Sequence, residues 1–259
     1  MSTALVTGGT SGIGAEFARQ LADRGHDLVL VARDVSRLEE MAAELRARGR
    51  EVEVLPADLA QRADVDRVAA RLEDPDRPID LLVNNAGFSV HSALTTPDVS
   101  RHDLGFEVMV RAVLVLAGAA GRAMRARGHG AIVNVGSTAG FITMGSYSAM
   151  KAWVMSFSEG LANELHGTGV TVTVLAPGWV RTEFHERGNV NVSKIPNFLW
   201  LDAESLVRTA LRDVDRGRVI SLPSVRYRVL IWFARHAPRS AIRAVSRAIS
   251  STRRDTVAE

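Results

Sequence analysis

The 259-residue chain contains no cysteine. Disulfides, thiolate metal sites and cysteine nucleophiles are therefore excluded, and the composition suits a reducing compartment. Aromatic residues are scarce, at 5%. Lysine and tyrosine are scarcer still: Lys151 and Lys194, Tyr147 and Tyr227, in a chain with 32 basic residues. No uninterrupted apolar stretch nears the roughly 18 residues that span a bilayer. The longest late one, Val229–Ala234, has six. Met1 leads directly into a strand-like TALVTG, without a basic segment followed by an apolar one, so the expectation is a cytoplasmic protein. The seven histidines show no metal-ligand spacing and read as surface or core residues; no metal is expected. Net charge is only +3, and the excess is local: eight arginines and no acid lie between Arg226 and Arg254. The remainder is mildly acidic, which argues against nucleic acid as a partner.

What the chain does have is alternation. Strand-like runs at Ala4–Thr7, Asp27–Val31, Glu51–Leu55, Leu81–Asn84, Ala131–Val135 and Thr171–Leu175 are apolar without a polar face, as in strands buried on both sides. Between them lie helical patterns at Ile13–Arg24, Ser36–Arg48, Arg101–Arg127 and Ser146–His166. The second opens with Ser36-x-x-Glu39, which predicts a capping box. This order predicts an α/β fold: a single Rossmann-type, doubly wound parallel sheet with helices on both faces, spanning 1–259. A loop at about 179–200, with Gly188, several Asn and Pro196, reads as a variable substrate loop, and a basic helical tail covers about 224–254.

The first strand runs into Thr7-Gly8-Gly9-Thr10-Ser11-Gly12-Ile13-Gly14 and then a helix. Glycines permit the tight turn and let the backbone approach a pyrophosphate, and the helix N-terminus offers free N–H groups to the anion. The alternative is an ordinary strand-to-helix turn. The second strand ends in Val31-Ala32-Arg33-Asp34. An acid there would take a ribose 2′-hydroxyl and an arginine a 2′-phosphate, so both readings are present. Asp34 also sits where a carboxylate caps the next helix, as Asp58 does after the third strand.

Tyr147 and Lys151 are one helical turn apart and so share a face. A phenol with a reference pKa of about 10 is a poor proton-transfer group at neutral pH. An ammonium at about 4 Å, with an effective dielectric near 20, contributes about 4 kcal/mol, enough to lower that pKa by ~3 units. The spacing therefore predicts a phenol tuned towards neutrality, able to exchange a proton with a carbonyl or alcohol oxygen. Taken alone, a Tyr/Lys pair at this spacing is also a routine helix-surface contact.

Five motifs in order make the pair more specific. Thr7-Gly8-x-x-x-Gly12-x-Gly14, Asn84-Asn85-Ala86-Gly87, Ser137 after the fifth strand, Tyr147-x-x-x-Lys151, and Pro177-Gly178 followed by Thr182 together resemble the short-chain dehydrogenase/reductase family over about residues 1–185. The resemblance implies an NAD(P)-dependent oxidoreductase that interconverts a carbonyl and an alcohol by hydride transfer. Tyr147 would be the general acid/base, Ser137 would hold the substrate oxygen, and Lys151 would bond the nicotinamide ribose. It implies cofactor contacts at Gly8, Thr10, Ser11, Gly12, Ile13, Gly14, Arg33, Asp58, Leu59, Asn85, Ala86, Gly87, Tyr147, Lys151, Pro177, Gly178, Val180 and Thr182. Asp58 would meet the adenine edge. Similarity to members with Ala-Arg after the second strand favours NADP(H), with NAD(H) the alternative, and a homodimer or homotetramer built through the long helices is implied as well. The runner-up is a cofactor-binding regulatory or scaffold protein on the same fold.

Two departures stand out. Met109 occupies a place where relatives usually carry an asparagine that supports a proton relay through the lysine; methionine donates no hydrogen bond. Only nine residues separate Ser137 from Tyr147, fewer than in relatives, which predicts a more open substrate mouth beside Gly140–Gly145. Phe88, Val90, Phe141, Trp179, Phe184 and Phe198-Leu199-Trp200 are candidate pocket residues or, singly, ordinary core; as pocket they would suit a lipophilic carbonyl or secondary alcohol. In the tail, Arg235, Arg239, Arg243 and Arg247 recur every fourth residue, with Ile242, Val245 and Ile249 on the other face. Such a helix fits peripheral contact with an anionic membrane, or packing on the core or across a dimer.

Overall fold

The computed structural model describes residues 2–90, 92–182 and 196–254. Strands β1 (Thr3–Thr7), β2 (Asp27–Ala32), β3 (Val52–Pro56), β4 (Leu81–Asn84), β5 (Gly130–Val135) and β6 (Val170–Leu175) fall within a residue of the expected runs. Two short parallel segments, β7 (Trp179–Val180) and β8 (Trp200–Leu201), pair with each other at the ends of the loop region. A further strand that the sequence did not announce, β9 (Ile220–Ser221), pairs with Val174 and Leu175. Two residues are too few to carry any periodic signal.

The seven-stranded sheet is parallel, in the order β3-β2-β1-β4-β5-β6-β9. Alternate residues of each strand enter opposite layers. Ala4, Val6, Leu28 and Leu30 pack under α1 (Gly12–Asp23), α2 (Val35–Arg46) and α7 (Ala203–Asp215). Leu5, Val29, Val31 and Leu82 pack under α3 (Arg62–Glu73), α5 (Ala112–Arg127) and α6 (Gly145–Glu164). Burial on both faces explains the absence of alternation. The chain winds outward from β1 to β3, then from β4 to β9 in the other direction. The order therefore reverses between β1 and β4, opening a crevice at their carboxyl ends.

Helix α2 takes the cap read at Asp34 and not the box read at Ser36. Asp34, not Ser36, precedes the helix, and its side chain accepts a hydrogen bond from the Arg37 N–H at 3.1 Å. Ser36 thus lies inside the first turn, and the predicted box with Glu39 does not form. Asp58 likewise caps no helix. Its side chain accepts from the Ala60 N–H at 3.1 Å, and α3 starts only at Arg62.

The expected helix at 101–127 is continuous but irregular. It comprises α4 (Ser100–Phe106), one π turn (Glu107–Arg111) and α5. An 18-residue window within it reaches a mean hydropathy of 1.7, which a membrane span also reaches, yet half of that window is buried in the protein. Gly121, Leu116 and Ala120 face the sheet layer, so the apolar content is that of a core helix. Beyond β9 follow α8 (Val225–His236) and α9 (Arg239–Arg254).

Candidate active site

A cleft of about 1900 Å³ runs along the carboxyl ends of β1–β6. Drug-sized ligands fill about 300–1,000 Å³, so this space suits two molecules side by side. Gly8 and Gly12 adopt left-handed φ of 65° and 54° at its floor. A Cβ on Gly14 would lie 2.2 Å from the Gly8 oxygen and 2.3 Å from Asn85 Nδ2. Only hydrogen fits there, so this glycine serves close packing of α1 on the loop and does not itself line the cleft. Asn85 fastens the loop by donating from Nδ2 to the Thr7 and Gly8 oxygens at 3.0 and 3.2 Å. The Thr7 hydroxyl accepts from the Asn85 and Ala86 N–H groups at 2.9 and 3.1 Å. The first turn of α1 carries no acidic residue. Its positive end and the bare glycine backbone form a cradle whose chemistry fits a pyrophosphate.

Gly8, Thr10, Ser11, Gly12, Ile13, Arg33, Asp58, Leu59, Asn85, Ala86, Gly87, Pro177, Gly178, Val180 and Thr182 all line this cleft, together with Ser137, Tyr147 and Lys151. Gly178 has a second constraint. A Cβ there would lie 1.9 Å from Cζ of Tyr227, whose hydroxyl accepts from the Trp179 N–H at 3.0 Å and donates to the Leu199 oxygen at 2.7 Å. The tail is thereby locked to the loop after β6.

Ser137 follows β5 in extended backbone and accepts a hydrogen bond from the Ala139 N–H at 3.1 Å. Tyr147 and Lys151 project from successive turns of α6. Lys151 is 5% exposed and donates from Nζ to the Val135 oxygen at 2.8 Å, while Nζ lies 5.9 Å from the centre of the Tyr147 ring. Burial pushes the ammonium down to about 8. Burial likewise pushes the phenol up to about 12, and hydrogen bonding to Ser137 pulls the other way. Desolvation of the ring thus works against the tuning that the spacing predicts. The lysine ammonium gives one hydrogen bond to a backbone carbonyl and keeps its remaining N–H donors.

Met109 lies in the π turn and is 1% exposed. It packs with Val90, Met150, Phe88 and Tyr147. One side of the tyrosine is therefore a dry apolar wall.

Of the candidate substrate residues, Phe88, Val90 and Trp179 line the cleft. Phe141 does not; it packs beside Val154 and Trp153, with the Arg235 guanidinium 5.8 Å from its ring centre. Phe198 is exposed, and Trp200 lies outside the cleft lining, its ring centre 5.9 Å from that of Trp179 and tilted by 56°. Phe184 lies outside the described residues. The expected open mouth beside Gly140–Gly145 is corrected as well: α9 covers that side. Ser246 accepts from both the N–H and the hydroxyl of Thr143 at 3.1 Å, and Arg243, Ser246 and Arg247 join the cleft wall. The sequence reading missed these three, along with Arg101, Ser89 and Ser148. The arginine period was visible, but nothing in it told a helix facing water from one facing a cleft.

The model of the short chain dehydrogenase family matches residues 2–191. An uncharacterized oxidoreductase of Staphylococcus saprophyticus is 38% identical over 183 residues, spanning 69% of this chain and 78% of that protein. Among solved structures, a short-chain dehydrogenase from Sphingobium yanoikuyae in complex with NADPH superposes with a TM-score of 0.82 at 37% identity, covering 89% of this chain and 92% of that one. The bulky-bulky ketone specific alcohol dehydrogenase from Comamonas testosteroni gives 0.78 at 34% identity, covering 89% and 90%.

Proposed function

Because the chain belongs to the short-chain dehydrogenase/reductase family of NAD(P)-dependent oxidoreductases, we propose that it interconverts a carbonyl and an alcohol on a lipophilic substrate, with Tyr147 as the general acid/base. The observation that carries this reading is the convergence of Ser137, Tyr147 and Lys151 on the cleft that holds the glycine cradle. Tyr147 is hydrogen-bonded to Ser137 on the cleft wall, placed to pass a proton to or from the substrate oxygen. The Ser137 hydroxyl donates a second hydrogen bond to that oxygen and stabilises its developing charge. Lys151, through its ammonium, orients the nicotinamide ribose. The nicotinamide, when bound, exchanges the hydride.

NADP(H) is the proposed cofactor. The Asp34 carboxylate is engaged as the cap of α2, which leaves Arg33, on the cleft wall at the end of β2, as the group suited to a 2′-phosphate. Phe88, Val90 and Trp179 support a lipophilic substrate, in keeping with the bulky ketones named for the Comamonas protein. The cysteine-free composition supports a cytoplasmic location. Exposed Phe106 and Leu114, 47% and 48% accessible on the long helix, support a homodimer or homotetramer. Peripheral membrane contact through the tail has its own support: α8 exposes Val229, Leu230, Trp232 and Phe233 among arginines.

The test is a panel of bulky ketones assayed by oxidation of NADPH and, separately, NADH. Turnover with NADPH is expected, and Tyr147→Phe is expected to lower it by about 10²–10⁴-fold. An unchanged rate in that variant would overturn the assignment. Binding of NADPH with no turnover of any ketone would favour a regulatory or scaffold role instead.

A further inference from the structure

The near end of the cleft is balanced in charge: Asp34 and Asp58 follow β2 and β3, with Arg33 and Arg37 beside them. The far end holds three arginines, Arg101 from α4 and Arg243 and Arg247 from α9, and no acid among the described residues. All three are exposed. The Arg101 guanidinium lies 5.3 Å from the centre of the Phe88 ring, a cation held over the apolar floor of the site. Arg243, Ser246 and Arg247 share one face of α9, since residues three and four apart are neighbours on a helix. Ser246 is 3% exposed and accepts both polar hydrogens of Thr143, four residues before Tyr147. The buried serine seats the helix, and the two arginines flanking it are carried to the mouth. No ion pair to Arg101, Arg243 or Arg247 occurs among the described residues, whereas arginines elsewhere on the surface commonly have one.

We propose that the substrate of this site carries, besides its carbonyl, an anionic group, a carboxylate or a phosphate, at the far end of an apolar body, and that Arg243 and Arg247 grip this anion with Arg101 beside them. Guanidinium forks match both anions in geometry, and a charge-assisted bond at a half-enclosed mouth exceeds a neutral one in strength. Phe88 and Val90 line the apolar path between the reacting carbonyl and the anion. This inference rests on the reductase reading above and narrows it to lipophilic oxo-acids or oxo-phosphates.

Three medium-chain ketones that differ only in their remote end decide it: a carboxylate, its methyl ester and the matching phosphate monoester. With NADPH at low salt, kcat/KM is expected to be about tenfold or more higher for one or both anions than for the ester. The favoured anion identifies the group. Added salt and the double variant R243Q/R247Q should each collapse the ratio towards one, while R243K/R247K should retain part of it. Calorimetric binding of the same compounds to the protein saturated with NADP+ gives the same ratio without turnover. If the ester is reduced or bound as well as the anions, the inference is overturned while the reductase reading stands. If the anions bind more tightly but no ketone is reduced, the reductase reading fails and the anion site stands.

Discussion

Lys151 and Tyr147 show how little a motif says about the electrostatics of its own side chains. Their spacing put them on one face of α6, which the structure bears out, and Coulomb's law at that separation predicted a softened phenol. Desolvation works against that pull. The lysine is almost fully buried, gives its hydrogen bond to the Val135 carbonyl and is held near 8, below its ordinary 10.5. Between those two values the unfolded chain binds more protons at this position than the folded one, so the lysine's contribution to stability rises with pH across that window. Thermal denaturation of the wild type and Lys151→Met should show it. The wild type is expected to gain on the variant by up to about 3 kcal/mol as pH climbs through the window. A difference independent of pH would mean that the ammonium is not desolvated. Met109 belongs to the same scale. A sequence shows the missing amide, but only the packed site shows a methionine against the tyrosine ring.

At the scale of elements, helices and strands were legible wherever burial imposed a pattern over several residues, as in β1–β6 and α6. Short or irregular elements were not. β9 is two residues long, and the π turn at Glu107–Arg111 keeps an apolar composition that reads as plain helix. The start of α2 was read two ways because Asp34 and Ser36 are both good capping residues and only the backbone chooses between them. The link between α8 and the loop after β6 was invisible for another reason: Pro177-Gly178 reads as a cofactor motif, yet the missing side chain at 178 also makes room for the Tyr227 ring. Gly178→Ala is therefore expected to destabilise the protein by about 1–3 kcal/mol through overpacking. Limited proteolysis should then show earlier cleavage within α8 and α9 than in the wild type. Wild-type stability in this variant would show that the ring moves aside at no cost.

For the molecule as a whole, the tail ties surface to chemistry. Helix α9 closes the cleft, while α8 turns Trp232 and Phe233, 55% and 60% exposed, outward beside arginines. If this face meets an anionic membrane, the wild type should sediment with vesicles containing anionic lipid and W232E/F233E should remain in solution. Equal sedimentation of the two proteins would rule that contact out. Two kinds of information separate at this scale. The sequence by itself determined the doubly wound sheet, the glycine cradle and the Ser137/Tyr147/Lys151 set, because each depends on local period, turn geometry or spacing within one element. Only the tertiary structure decided that the lysine is buried against a backbone carbonyl, that the tail forms a wall of the cleft, and that arginines from two distant helices line it. Desolvation and charge convergence depend on which segments pack together, and a spacing of more than a hundred residues carries no local trace of that.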